Sequence, residues 1–160
     1  MSAPASVGWC ERVNPAIAFL AMAALTIVGG GATAAAMAHA PSRKLFWAVA
    51  YLVLVVGVTQ ALLGLGQALL AARQTAVSVR LVEWLMFNLG SAGVICGTLW
   101  PLHPLVLAGT VLFVVALAMF GYATRASRAG WPIHAYRALL VFIGGSALVG
   151  LALAAVRATP

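Results

Sequence analysis

Glu83 is the residue on which chemistry could turn. It lies in RLVEWLMFNLGSAGVICGTLW, Arg80 to Trp100, a stretch apolar and long enough to be a bilayer-crossing helix, while the other acidic residue, Glu11, belongs to the N-terminal tail. An ionisable side chain inside a membrane is costly, so it marks either a proton or cation site or a paired charge. Three amides accompany it: Gln60 and Gln67 on the preceding apolar run and Asn88 on the same run. Val53, Gly57, Gln60, Gly64, Gln67 and Ala71 recur at alternating spacings of four and three, one stripe of a helix. Glutamines turned to lipid would leave amide groups unsatisfied, so the stripe must face protein or water. A face built from Gln60, Gln67, Glu83 and Asn88 has the chemistry of a polar ion path. The simpler expectation for Glu83 is an ion pair with Arg80, three residues earlier, or with Arg137 at the start of the last span. Glu83 lies only about one turn inside its span, close to the interface, which favours the pair.

His39 and His103 are the candidate haem ligands. Both fall near the same membrane face, at the ends of the first and fourth apolar runs, whereas His134 falls near the other; interfacial histidines also simply end helices or bond headgroups and carbonyls. No other metal pattern exists: Cys10 and Cys96 are far apart without a CxxC, so neither a disulfide nor a metal site is expected from them. Nucleophilic catalysis lacks its parts, since there is no Asp, no G-x-S-x-G and no HExxH. The expectation is a protein without catalytic activity and without a resident cofactor, haem being the one candidate.

The elements that position these residues follow from composition. The chain of 160 residues is 64% hydrophobic and 7% charged, with mean hydropathy +1.09; a soluble domain carries about 25% charged residues. Apolar runs of roughly 20 residues suit a hydrocarbon core about 30 Å thick. Five are expected, over about 15–37, 45–72, 81–100, 104–124 and 135–156, giving an all-α integral membrane protein whose residues 1–160 form a single five-transmembrane-helix bundle. Ala38-His39-Ala40 resembles a signal-peptidase site, but the preceding run exceeds the 7–15 residues of a signal core, so the first helix is expected to be retained. The net charge of +7 comes from basic residues at the ends of apolar runs rather than in a patch, which argues against nucleic acid and for a basic face toward anionic headgroups. Arg12, Arg73, Arg80, Arg125, Arg128 and Arg137 fall on one side, and Arg43, Lys44 and Arg157 on the other. The positive-inside rule then puts the N-terminus in and the C-terminus out of a cell membrane, expected to be a bacterial inner or cytoplasmic membrane. Trp9, Trp84, Tyr122, Trp131 and Tyr136 are expected in the inner aromatic belt, and Trp47, Tyr51 and Trp100 in the outer one.

Packing expectations rest on small residues. In the third run Glu83, Phe87, Gly90, Ser91, Val94, Gly97 and Thr98 share a face, opposite Val82, Leu85, Leu89, Ala92, Cys96 and Leu99, and Gly93 with Gly97 makes a GxxxG. This run is expected to be the central helix, with Gly57 and Gly64 of the second span meeting Gly90 and Gly97. Ser146 and Gly150 form a further small-xxx-small pair in the fifth span, and the uniformly apolar fourth span is expected to be a lipid-facing wall. Three function classes remain. The first is an accessory or assembly subunit, or a homo-oligomer, acting through helix packing with other membrane subunits or itself. The second is a small oligomeric transporter or channel using the Gln60, Gln67, Glu83 and Asn88 face. The third is a haem- or quinone-binding redox subunit.

Overall fold

A computed structural model describes residues 14–40, 42–72, 75–127 and 130–158. Trp9, Cys10 and the topology-count residues Arg12, Arg73 and Arg128 lie outside the described residues. The described residues form helices joined by short turns, and five of the helices are long and apolar enough to cross a membrane: α1 (Asn14–His39), α2 (Arg43–Leu70), α3 (Val77–Leu99), α4 (His103–Ala123) and α5 (Trp131–Val156). The fifth starts four residues before the expected 135, because Trp131 and Pro132 are already helical and proline is tolerated in a first turn. Short connections make sequential neighbours antiparallel, so Glu83 and the α1 N-terminus share one end of the bundle, and His39 and His103 the other.

α2 is not uniform. Arg43–Ala50 and Thr59–Leu70 are α-helical, and the eight residues Tyr51–Val58 between them are π-helical. π geometry inside an α-helix is rare, widens the turn and often accompanies function. The hydroxyl of Thr59 donates to the Leu54 carbonyl five residues back at 3.2 Å, so the wide turn reaches just past the segment's end.

α1 presents one stripe, Ala16, Phe19, Ala23, Thr26 and Gly30, spaced three and four residues apart, and all of it is buried. α2 receives it: a Cβ placed on Gly57 would stand 2.5 Å from Ile27 and one on Gly64 2.6 Å from Phe19. α3 and α4 form a hairpin closed by bonds from Trp100 N–H to the Cys96 carbonyl and from Leu102 N–H to the Gly97 carbonyl. Its helices touch backbone to backbone. A Cβ on Gly90 would stand 2.6 Å from the Phe113 nitrogen, on Gly93 3.0 Å from the Gly109 Cα, and on Gly97 2.7 Å from the Val106 nitrogen. The expected α2–α3 glycine contact is therefore corrected. Gly57 and Gly64 meet α1, and Gly90, Gly93 and Gly97 meet α4, whose Gly109 is the complementary small residue that permits the approach.

Two further expectations change with it. α4 is more than a lipid-facing wall: Val106, Gly109, Thr110, Phe113, Ala116, Leu117 and Phe120 are buried on one face, while Leu105, Leu107, Val111 and Val115 stay exposed on the other. A helix apolar all round is also what a protein interior selects, and hydrophobicity alone could not separate the two environments. α3 is not the central helix either, since 22% of its most apolar window is buried against 39% for α2 and α4. The core gathers around α4, where Phe113 packs on Phe87 at 5.0 Å between ring centroids and Phe120 meets Phe19 edge-on at 5.6 Å. Leu63, Tyr136, Leu140 and Ile143 complete it from α2 and α5. α5 is buried at Ile133, Tyr136, Leu140 and Ile143 but at no residue from Gly144 to Val156. Gly150 makes no close helix contact within the chain, since a Cβ there would meet nothing within 4 Å.

Candidate functional site: a buried carboxylate held by an amide

Glu83 sits in the second turn of α3 on the face that continues through Phe87, Gly90 and Ser91, all fully or almost fully buried. The face is inward because the glycines above it dock on α4, which fixes the rotation of the whole helix. Opposite it, Gln67 occupies the last α-helical turns of α2, in register with Gln60 and Gly64. The Gln67 Nε2 donates to both carboxylate oxygens of Glu83, at 3.0 Å to Oε1 and 2.8 Å to Oε2. Glu83 is 0% exposed and Gln67 4%.

Neither expected arginine partner pairs with Glu83. Arg137 turns instead to the end of α4, where its Nη2 donates to the carbonyls of Thr124 at 3.0 Å and Arg125 at 3.2 Å. Carbonyls at a helix end lack helical donors, and the single Arg137 Nη2 supplies both of these. Arg80 lies within electrostatic reach of Glu83 but forms no ion pair with it, and its buried Nη1 has no hydrogen-bond partner. The carboxylate therefore sits opposite a neutral donor. A charge-assisted hydrogen bond is worth about 1.5–3 kcal/mol, and stranding a charged partner costs more than that.

The remaining polar residues are distributed along the same direction. Gln60 is 0% exposed, and neither its Nε2 nor its Oε1 has a hydrogen-bond partner among the described residues. Ser91, 1% exposed, is likewise unpartnered, although Tyr51 of α2 comes close enough to interact with its hydroxyl. Asn88 is half-buried; its Nδ2 donates to the Trp84 carbonyl at 2.8 Å, and its Oδ1 is free. Each buried unpartnered polar group costs about 1–3 kcal/mol, so Gln60 alone is an expensive residue to retain. Asn88 does not join Glu83, and its amide mainly satisfies its own helix.

Two recesses flank this column. Glu83 lines an open groove of about 880 Å³ between the ends of α3 and α4, with Val79, Val115, Met119 and Thr75 on its walls. At the groove rim the Arg125 guanidinium stacks 3.4 Å from the centroid of the Tyr122 ring. At the opposite end Tyr51 lines a more enclosed cavity of about 400 Å³ among α2, α3, α4 and α5, together with Trp47, Thr98, Thr110 and Phe113. The hydroxyls of Thr98 and Thr110 donate to their own helices, at 2.7 and 2.8 Å.

Sequence reasoning missed Tyr136. Expected in an interfacial aromatic belt, it is 5% exposed, lies within electrostatic reach of Glu83, and donates to the Leu63 carbonyl at 3.2 Å. The signal was present in the spacing Ile133, Tyr136, Leu140, Ile143, a helical stripe that places the tyrosine inward. The haem candidates His39 and His103 are both exposed, and the cavity beside His103 is walled by α4 and α5 without His39. No group of three or more His, Cys, Asp or Glu side chains converges among the described residues. The chain matches no family model, and no curated protein or solved structure is significantly similar to it.

Proposed function

We propose that the chain is a small proton- or cation-conducting membrane protein, inserted through all five helices with its N-terminus in the cytoplasm, and that Glu83 is its ion-binding group. One observation carries this: Glu83 is fully buried and its hydrogen-bond partner is the neutral amide of Gln67. An arginine partner would lock the carboxylate in its charged form. An amide can serve both forms, donating through its NH2 to the anion and, after turning over, accepting through its carbonyl from the neutral acid. The groove that Glu83 lines approaches it from the α3 N-terminal end, which the basic-residue count assigns to the cytoplasm. Five helices are few to enclose a path, so conduction belongs to an oligomer.

Reconstitution into liposomes tests the proposal. Wild-type protein should carry proton or monovalent cation flux under an imposed potential. Glu83→Gln should fold with an unchanged melting temperature and lose that flux, because the amide keeps the shape but cannot ionise. A wild-type protein without flux would overturn the proposal.

A second function is favoured by a different observation. In the half of α5 from Gly144 to Ala155 no residue is fully buried, and Gly145 and Gly150 stand open. Such a surface suits an accessory or assembly subunit whose partner is another membrane protein or a further copy. Co-purification of one stoichiometric partner, with no flux from the isolated chain, would decide for it.

A further inference from the structure

We propose that the strip of α4 ending at Arg125 seats one two-chained anionic phospholipid, with its phosphate at Arg125 and Arg137 and one acyl chain in each of the two grooves beside the strip. The site does not depend on the ion-binding reading of Glu83, although a chain in the first groove would lie across the approach to that carboxylate. This first groove is the one of about 880 Å³ between the ends of α3 and α4, where Val79, Val115 and Met119 give apolar walls and Glu83 and Thr75 are polar. The second, of about 610 Å³, runs between α4 and α5 along Val114, Gly121, Leu140 and Val141. Ala118 and Arg125 line both. Val114 in one groove and Val115 in the other are consecutive, so the grooves open on faces about 100° apart around α4. Ala118 between them is small, which leaves room for two chains joined at one glycerol to part. Gly121 and Gly144 keep the second groove open: a Cβ on the former would meet Leu140 at 3.7 Å and on the latter Leu117 at 3.7 Å.

Length and charge both fit this occupant. Val114 and Arg125 are eleven residues apart, a rise of about 16.5 Å, while half of a hydrocarbon core is about 15 Å. A chain of one leaflet therefore reaches from the rim to the deep end. Both guanidiniums stand at the rim. Arg137 bonds the carbonyls of Thr124 and Arg125 through its Nη2, which brings it to the end of α4, and the Tyr122 ring holds the Arg125 guanidinium 3.4 Å from its centroid. Among the described residues the one acidic side chain is Glu83, which the Gln67 amide holds, so no carboxylate there neutralises either arginine. Arginine meets phosphate oxygens with charge-assisted hydrogen bonds, and basic pockets between helices on the cytoplasmic side suit anionic headgroups. The basic-residue count assigns this end to the cytoplasm.

The test is native mass spectrometry of the full chain, titrated in detergent with dioleoyl phosphatidylglycerol, dioleoyl phosphatidylcholine or mono-oleoyl phosphatidylglycerol. The first dioleoyl phosphatidylglycerol should bind about fivefold or more tightly than phosphatidylcholine, and the single-chained lipid, which leaves one groove empty, severalfold more weakly. Arg125→Gln should lose about fivefold in phosphatidylglycerol affinity, while phosphatidylcholine affinity and the melting temperature in lipid-free detergent stay unchanged. Gly121→Leu fills the second groove, so one- and two-chained phosphatidylglycerol should then bind alike, with the preference over phosphatidylcholine kept. Equal wild-type affinity for phosphatidylglycerol and phosphatidylcholine overturns the anionic headgroup. A full preference in Arg125→Gln overturns the rim as its seat, and equal wild-type affinity for one and two chains overturns the paired grooves. Should Gly121→Leu misfold, Gly144→Leu plugs the same groove from α5, and a two-chain preference that survives the plug overturns that groove as a chain seat.

Discussion

The Gln67 amide nitrogen stands 3.0 and 2.8 Å from the two oxygens of Glu83, so a single neutral NH2 group serves a whole buried carboxylate. The two residues are sixteen apart in sequence on different helices, and their meeting ties the end of α2 to the start of α3. Removing one partner strands the other in a low-polarity interior. Gln67→Leu should therefore cost about 1–3 kcal/mol of stability, and adding Glu83→Leu should restore most of it, because two apolar groups of similar size leave nothing unsatisfied. A double-mutant cycle in detergent unfolding measures the coupling. Additive losses from the two changes would show that the contact contributes nothing.

Arg137 gives a prediction opposite in kind. Its guanidinium bonds the carbonyls of Thr124 and Arg125 just past the end of α4 and does not neutralise Glu83. Arg137→Ala should lower stability by about 1–2 kcal/mol through the lost cap while flux stays at the wild-type level. Lysine, with a shorter reach and no planar guanidinium, should recover only part of the loss. A flux change that follows the charge at position 137 would mean that it acts on the carboxylate after all.

Much of this was legible in the sequence, and the limits have physical causes. Helix number and approximate ends follow from apolar run length, and the inward face of α3 follows from a period of 3.6 residues. Periodicity also turned Gln60 and Gln67 away from lipid. What a face meets is a different matter: Gly90 and Gly97 read equally well as contacts for any helix with a small residue, and only Gly109 on α4 selects the partner. The burial of α4 was hidden because leucine, valine and phenylalanine serve both lipid and core. Position along the chain pairs Glu83 with Arg80 or Arg137, yet the Arg137 Nη2 finds two carbonyls just past the end of α4 that no sequence pattern reports. Nor did the apolar run YLVLVVGV announce that it winds as a π-helix.

Orientation is checked by reporter fusions. Six basic residues on the N-terminal side against three on the other predict a cytoplasmic N-terminus and a C-terminus outside. A periplasmic reporter such as alkaline phosphatase fused after Pro160 should be active, and a fluorescent protein there should be dark. With an odd number of spans, a bright fluorescent fusion would require an inverted chain or a lost first helix.

The glycines of the α3–α4 hairpin supply the sharpest stability ranking. At Gly90 a methyl group would stand 2.6 Å from the Phe113 nitrogen and 2.8 Å from the Gly109 carbonyl oxygen, which are backbone atoms that cannot rotate aside. The helices would have to part along the whole hairpin, and overpacking of this kind costs about 1–3 kcal/mol or more. Gly90→Ala should therefore already destabilise, and Gly90→Leu should do so severely. Ala92 points outward two residues later, so Ala92→Leu should change stability by no more than about 0.5 kcal/mol. Gly145→Ala, with nothing within 4 Å of the new methyl, should be neutral or slightly stabilising through helix propensity. Gly109→Ala should match Gly90→Ala, since its Cβ would meet the Gly90 oxygen at 2.7 Å from the other side. Melting temperatures of the five variants in one detergent give the order. Equal values for Gly90→Leu and Ala92→Leu would mean that α3 is rotated from the position its glycines impose, and with it Glu83 would no longer face Gln67.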